Sequence, residues 1–172
     1  MASKQTKSKQ SKTLQELFHD TLKDIYYAEK KILATLPKMA KAAQSDDLKA
    51  AFEKHRKETE DQVERLDRVF EEIDKKAQGK TCAAIVGITD EGAEIMKSYK
   101  GSPALDAGLL SAAQAVEHYE ISRYGTLIAW AEELGLEEAV SLLEETLEEE
   151  KATDETLTKI AETAINQQAE AA

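Results

Sequence analysis

Leu147-Glu148-Glu149-Glu150-Lys151-Ala152-Thr153-Asp154, read with the upstream phrase Glu117-His118-Tyr119-Glu120, decides how this chain folds. At ~100° per residue, Leu143, Leu147, Leu157 and Ala161 fall within about 40° of one direction, and Glu150 and Asp154 lie in the middle of that apolar stripe. Counted the same way, Glu120 falls among Leu109, Val116, Leu127 and Leu134. A carboxylate inside a bundle of helices is paired, protonated or bound to metal, because an isolated buried charge costs more than a domain's net stability.

Working outward, Gly135 separates two such stripes, and the next helix resumes at Leu136 or Glu137, so the last two long helices form an antiparallel hairpin. Ser102-Pro103 reads as the cap and first-turn proline that open the third helix. The first helix starts near Thr13, with Leu14, Phe18, Leu22, Ile25, Ile32 and Leu36 on a stripe that also contains Glu29. Pro37 predicts a kink, but Met39, Ala40 and Ala43 continue the pattern as far as the break at Gln44-Ser45-Asp46-Asp47. Ser45 is the expected N-cap of the second helix, with Asp46 and Asp47 at the positive end of its dipole. Leu48, Phe52, Val63, Leu66, Phe70 and Ile73 set its inner face; His55, Thr59 and Gln62 lie within that face, Glu58 lies on its flank, and Gln78-Gly79 is the expected end.

A shorter apolar segment from about Thr81 to Tyr99 carries Ile85, Ile88, Ile95 and Met96 at helical spacing. Antiparallel neighbours need only a short connection, so ~25 intervening residues imply a crossover that travels the length of the bundle. The predicted fold is therefore all-α: a four-helix bundle of two antiparallel hairpins, with a short crossover helix between the second and third helices. It occupies residues 13–169, behind a solvated tail over residues 1–12.

A net charge of -11 opposes nucleic acid and anionic membrane as partners and favours cations. No run reaches the roughly 18 apolar residues of a membrane span, and the polar start lacks a secretory apolar core, so a cytoplasmic location is expected. The lone Cys82 has no disulfide partner within the chain and reads as a packed small residue. Helices ~30 residues long offer more apolar surface than one core hides, which predicts a homodimer.

Glu29 and Glu120 occupy corresponding places in the first helix of each hairpin, as do Glu58 and Glu150 in the second. Bundle sites for two metal ions use a glutamate on each of two helices plus Glu-x-x-His on the other two. Here Asp61 and Thr153 stand where those histidines would be, and His55 precedes its glutamate instead. The candidate metal set is Glu29, His55, Glu58, Gln62, Glu117, Glu120, Glu150 and Asp154, serving two divalent ions that carboxylates can bridge and neutralise. Within that set Asp154 is either a ligand or a hydrogen-bond partner of one, and Gln62 either binds through its amide oxygen or orients Glu58. Arg123 offers a counter-charge in place of metal. Tyr26, Tyr27, Tyr119 and Tyr124 read as packing residues with a hydrogen-bonding tip.

The phrases Ala115-Val116-Glu117-His118-Tyr119-Glu120-Ile121, Tyr124-Gly125-Thr126-Leu127 and Leu147 through Asp154 resemble the YciE/YciF family of ferritin-like bacterial proteins. Asp24-x-x-Tyr27-Ala28-Glu29-Lys30 and Phe52-x-x-His55-x-x-Glu58-Thr59-x-x-Gln62 match it in the first hairpin. The resemblance spans about Leu14 to Ala164. It implies a ferritin-like bundle, a cytosolic stress-associated role, dimers and a two-metal centre, and it names no reaction. The spacing of Glu117 and Glu120 is also similar to that of rubrerythrins. Two readings follow. One is a carboxylate-bridged di-iron or di-manganese protein that reacts with oxygen or peroxide. The other is a non-catalytic stress or interaction protein whose buried acids are held by His55, Arg123 and hydrogen bonds. A third, an iron-storing cage, requires a native mass far above a dimer.

Overall fold

Thr13 opens the first helix through a reciprocal cap: its hydroxyl accepts the Glu16 N–H at 3.2 Å, and the Glu16 carboxylate accepts the Thr13 N–H at 2.8 Å. From there the computed structural model, which describes residues 12–171, is built of helices and their connections, with no strand among the described residues. The expected tail over residues 1–12 lies outside the described residues except for Lys12. The elements are α1 (Leu14–Ala42), α2 (Asp46–Glu72), α3 (Ala83–Ser98), α4 (Leu105–Leu134), α5 (Glu137–Ile160) and α6 (Asn166–Glu170), with the wide π turn Ala161–Ile165 joining the last two.

The two hairpins are α1 with α2 and α4 with α5, and they close into a bundle through α2 against α5 and α1 against α4. The crossover helix α3 lies on α4 and α1. This is the predicted four-helix bundle. Phe18, Leu22, Ile25, Leu48, Phe52, Leu66, Phe70, Leu109, Leu127 and Leu143 fill its core, as the stripes require. Among the described residues no helix is long and apolar enough to cross a membrane.

As the pattern of Met39 and Ala40 requires, α1 continues through Pro37 to Ala42; the ring is exposed, and the proline forfeits only the bond its N–H would have made to Leu33. Two local expectations are corrected. α2 stops at Glu72 and not at Gln78-Gly79, because Asp74 turns left-handed at φ 53° and Lys75 N–H returns to the Phe70 carbonyl at 2.9 Å. Gly79 has a different use: a Cβ there would sit 3.1 Å from Tyr27 Cβ, so glycine lets the loop lie against α1, where Lys80 N–H reaches the Lys23 carbonyl at 3.0 Å. Ser102-Pro103 is a turn before α4, with the Ser102 hydroxyl accepting the Ala104 N–H at 3.2 Å, and the helix itself starts at Leu105.

Two helix N-termini take acids from neighbouring elements. Buried Asp106, in the first turn of α4, accepts the N–H groups of Gln44 at 2.8 Å and Ser45 at 2.6 Å, adding to the predicted Ser45 cap of α2. Glu72, at the end of α2, accepts the Ala139 N–H at 2.6 Å and so caps α5, which has no side-chain cap of its own. Each contact satisfies orphan donors and sets an anion against a positive helix end.

Candidate metal centre

The helical phase that buries Leu109, Val116 and Leu127 also carries Glu117 and Glu120 inward, and the α5 stripe carries Glu150 with it. Opposite them, α1 delivers Glu29 and α2 delivers His55 and Gln62, all buried. One ligand atom from each of His55, Glu117, Glu120 and Glu150 lies within 4.8 Å of the others. Both oxygens of Glu120, both of Glu150, Oε2 of Glu117 and both ring nitrogens of His55 are buried without a hydrogen-bond partner. His55 Nε2 is 3.3 Å from Glu117 Oε1, but the ring is not aligned for a hydrogen bond to it.

The remaining candidates surround this group. Glu29 accepts the Tyr124 hydroxyl on one oxygen, and its buried Oε2 has no donor. Glu58 is half-buried, with one oxygen paired to Lys54 and Oε2 buried without a donor. Gln62 donates its amide N–H to Glu149 at 3.0 Å, leaving its oxygen buried and unpartnered. Asp154 faces the groove between α4 and α5, where Gln114 Nε2 donates to it at 3.0 Å and His118 Nε2 lies 3.4 Å away. It stands outside the inner group and acts on Glu117 through its charge. Asp61 is exposed, whereas Thr153 is buried with its hydroxyl unpartnered.

Electrostatics follow from this burial. Desolvation, followed by the charge of Glu150, pushes Glu29 up to about 8. Glu150 rises to about 7, mainly through burial. Glu117 and Glu120 rise well above the ordinary carboxylate range, by burial first and then by the charge of Glu150 on the former and Glu29 on the latter. His55 falls to about 4, by burial and then the charge of Lys54, so near neutral pH it is an uncharged imidazole and not a counter-ion. Arg123 packs its guanidinium 5.4 Å from the Tyr119 ring centre and forms no ion pair among the described residues. Neither cation proposed from the sequence therefore neutralises the cluster.

One arrangement carried no periodic signal in the sequence. Arg65 on α2 binds both oxygens of Glu149 at 2.7 Å and Glu145 at 2.8 Å, fixing the acid to which Gln62 donates. The donor set fits a metal ion: carboxylate oxygens and neutral imidazole are common metal ligands, and a cation would supply the partner that the oxygens of Glu120 and Glu150 lack.

Residues 13–170 match the family model described as Domain of unknown function (DUF892). The chain is 45% identical over 160 residues to Protein YciF of Escherichia coli (strain K12), covering 92% of this chain and 96% of that protein. The crystal structure of the E. coli stress protein YciF superposes with a TM-score of 0.86 at 44% identity, covering 91% of this chain and 99% of that one. YcfI from Rhodopseudomonas palustris, provisionally described as a structural protein, gives a TM-score of 0.82 at 46% identity, covering 88% of this chain and 96% of that one.

Proposed function

This chain belongs to the family described as Domain of unknown function (DUF892), which its similarity to YciF bears out, and from that premise we propose that its buried acids hold two divalent transition metals, iron or manganese, in a cytoplasmic stress-associated protein. One observation carries the reading: Glu120 and Glu150 have every carboxylate oxygen buried and without a donor, beside a neutral His55. Glu29, Glu117, Glu120 and Glu150 bring four negative charges when ionised, and two divalent ions bring four positive ones, so the interior can become neutral without protons. His55 would hold a metal through the one ring nitrogen that carries no proton, and Glu120 and Glu150 would hold it through carboxylate oxygens that have no other partner. Glu58 and Gln62 add one buried unpartnered oxygen each, and Tyr124 orients Glu29 through its hydroxyl. Bound iron or manganese would supply redox chemistry with oxygen or peroxide.

The test is elemental analysis with thermal melts, with and without chelator, on the parent, Glu120→Ala and Glu150→Ala. Metal that binds only the native state adds about 2.7 kcal/mol at 100 times its dissociation constant, a shift of several degrees in melting. Both variants should lose that shift. If the parent reloaded with iron or manganese holds neither metal and its melting is unchanged, the proposal fails.

A second reading, a non-catalytic structural protein, draws on a specific contact pattern. Glu29 lies close enough to Glu120, and Glu117 to Glu150, for each pair to share a proton, so the cluster can also be neutralised by proton uptake. Protein that takes up neither iron nor manganese on reloading, with its melting unchanged, would favour that reading.

A further inference from the structure

Next to the acid cluster, a cavity of about 30 Å³ lies among α1, α2, α3, α4 and α5, with His55, Glu117 and Thr153 in its wall. We infer that this cavity is a binding site for a small apolar gas, dioxygen by size and polarity, held against the His55 and Glu117 side of the cluster. Its use there rests on the metal site proposed above, but its occupancy does not.

Size and lining together select the ligand. A water molecule needs about 10–15 Å³ of such space, and an engineered apolar cavity that admits benzene has about 150 Å³, so this cavity fits a diatomic molecule and not an aliphatic substrate. The rest of the wall is apolar, with Met39 and Met96 among its residues. Two of its hydroxyls are occupied locally: Thr35 donates to the Lys31 carbonyl at 2.8 Å, and Thr89 to the Ile85 carbonyl at 2.8 Å. Peroxide or water crossing that stretch would give up hydrogen bonds to solvent without replacement, whereas dioxygen gives up none. The unpartnered polar atoms, on Thr153, His55 and Glu117, belong to the side shared with the acids.

The experiment uses metal-free protein, so its outcome is independent of the metal proposal. Xenon NMR should show saturable binding. Dissolved dioxygen, being paramagnetic, should enhance relaxation of the Met39 and Met96 methyls above that of exposed methyls, while hydrogen peroxide at equal concentration leaves them unshifted. Ala112→Leu, which fills the wall, should abolish the xenon signal. Gly92→Ala should weaken it, and this is the gentler change, since its Cβ would meet Ala112 Cβ at an ordinary 3.5 Å. Absent xenon saturation, absent methyl relaxation, or an equal response to peroxide would overturn the inference even if the protein takes up metal. A positive gas result in a protein that never binds metal would uphold the cavity and overturn the reading of the acids.

Discussion

Held free of metal by chelator, the protein should lose stability as pH rises from 6.5 to 8. Burial raises Glu29 from an ordinary 4.5 to about 8, and raises Glu117 and Glu120 as well. A carboxyl raised in this way contributes stability that is full below its unfolded value and is lost as pH climbs through its folded value. His55 works in the opposite sense: depressed from 6.5 to about 4, it contributes stability present above 6.5 and lost as pH falls towards 4. The two effects therefore oppose one another below pH 6.5, and above it the histidine contribution to the slope fades and the acids dominate. Each carboxyl that is protonated when folded and ionised when unfolded removes about 1.4 kcal/mol per pH unit. Glu29 contributes less than the full slope near the top of the window, because it begins to ionise near pH 8. Proton sharing within the cluster prevents simple addition, so the expected loss is about 2 to 4 kcal/mol. Urea denaturation with chelator at half-unit pH steps measures it. Glu120→Gln should flatten the profile, and saturating manganese should reverse it, since metal displaces the protons. A metal-free profile that is flat or rises between pH 6.5 and 8 would refute the reasoning.

Other contacts give sharper local tests. Tyr124→Phe removes the donor to buried Glu29 and should cost about 1–3 kcal/mol in urea melts, because an acceptor is left without a partner. Asp106→Ala strips the acceptor from the Gln44 and Ser45 N–H groups and should cost about 1–3 kcal/mol while leaving metal content unchanged by elemental analysis. Asp154→Ala should also retain full metal content, in contrast to Glu150→Ala, because Asp154 is engaged by Gln114 outside the inner group. Light scattering is expected to give the mass of a homodimer; a monomer at working concentration would contradict that expectation.

Periodicity exposed the acids because a helix buries whole stripes. Once Leu143 and Leu157 are assigned inward, Glu150 is carried with them, and the structure buries it completely. Glu58, read on the flank of α2, is half-buried there. The same logic was too coarse for Asp154. Four residues advance about 40° beyond a full turn, enough to move a side chain from the bundle axis into the groove beside it. Only the pairing of α4 with α5 fixes that outcome, through Gln114 and His118. Contacts between distant segments left no trace in local pattern: Asp106 with the start of α2, Glu72 with the start of α5, and Arg65 with Glu149 each join residues whose neighbours look like ordinary solvated helix.

The counter-charge was the other question that pattern left open, and here the structure narrows the choice. Among the basic residues that the sequence offered to the cluster, His55 is uncharged near neutral pH and Arg123 is spent on the Tyr119 ring. Lys54 and Arg65 are committed to Glu58 and Glu149, at its margin. Protons or metal must therefore balance Glu29, Glu117, Glu120 and Glu150, and the two are thermodynamically opposed, since every ion bound expels protons. A pH profile that falls without metal and reverses with it would identify one set of carboxyls as the site of both equilibria. A profile that falls alike in both would assign the cluster to protons.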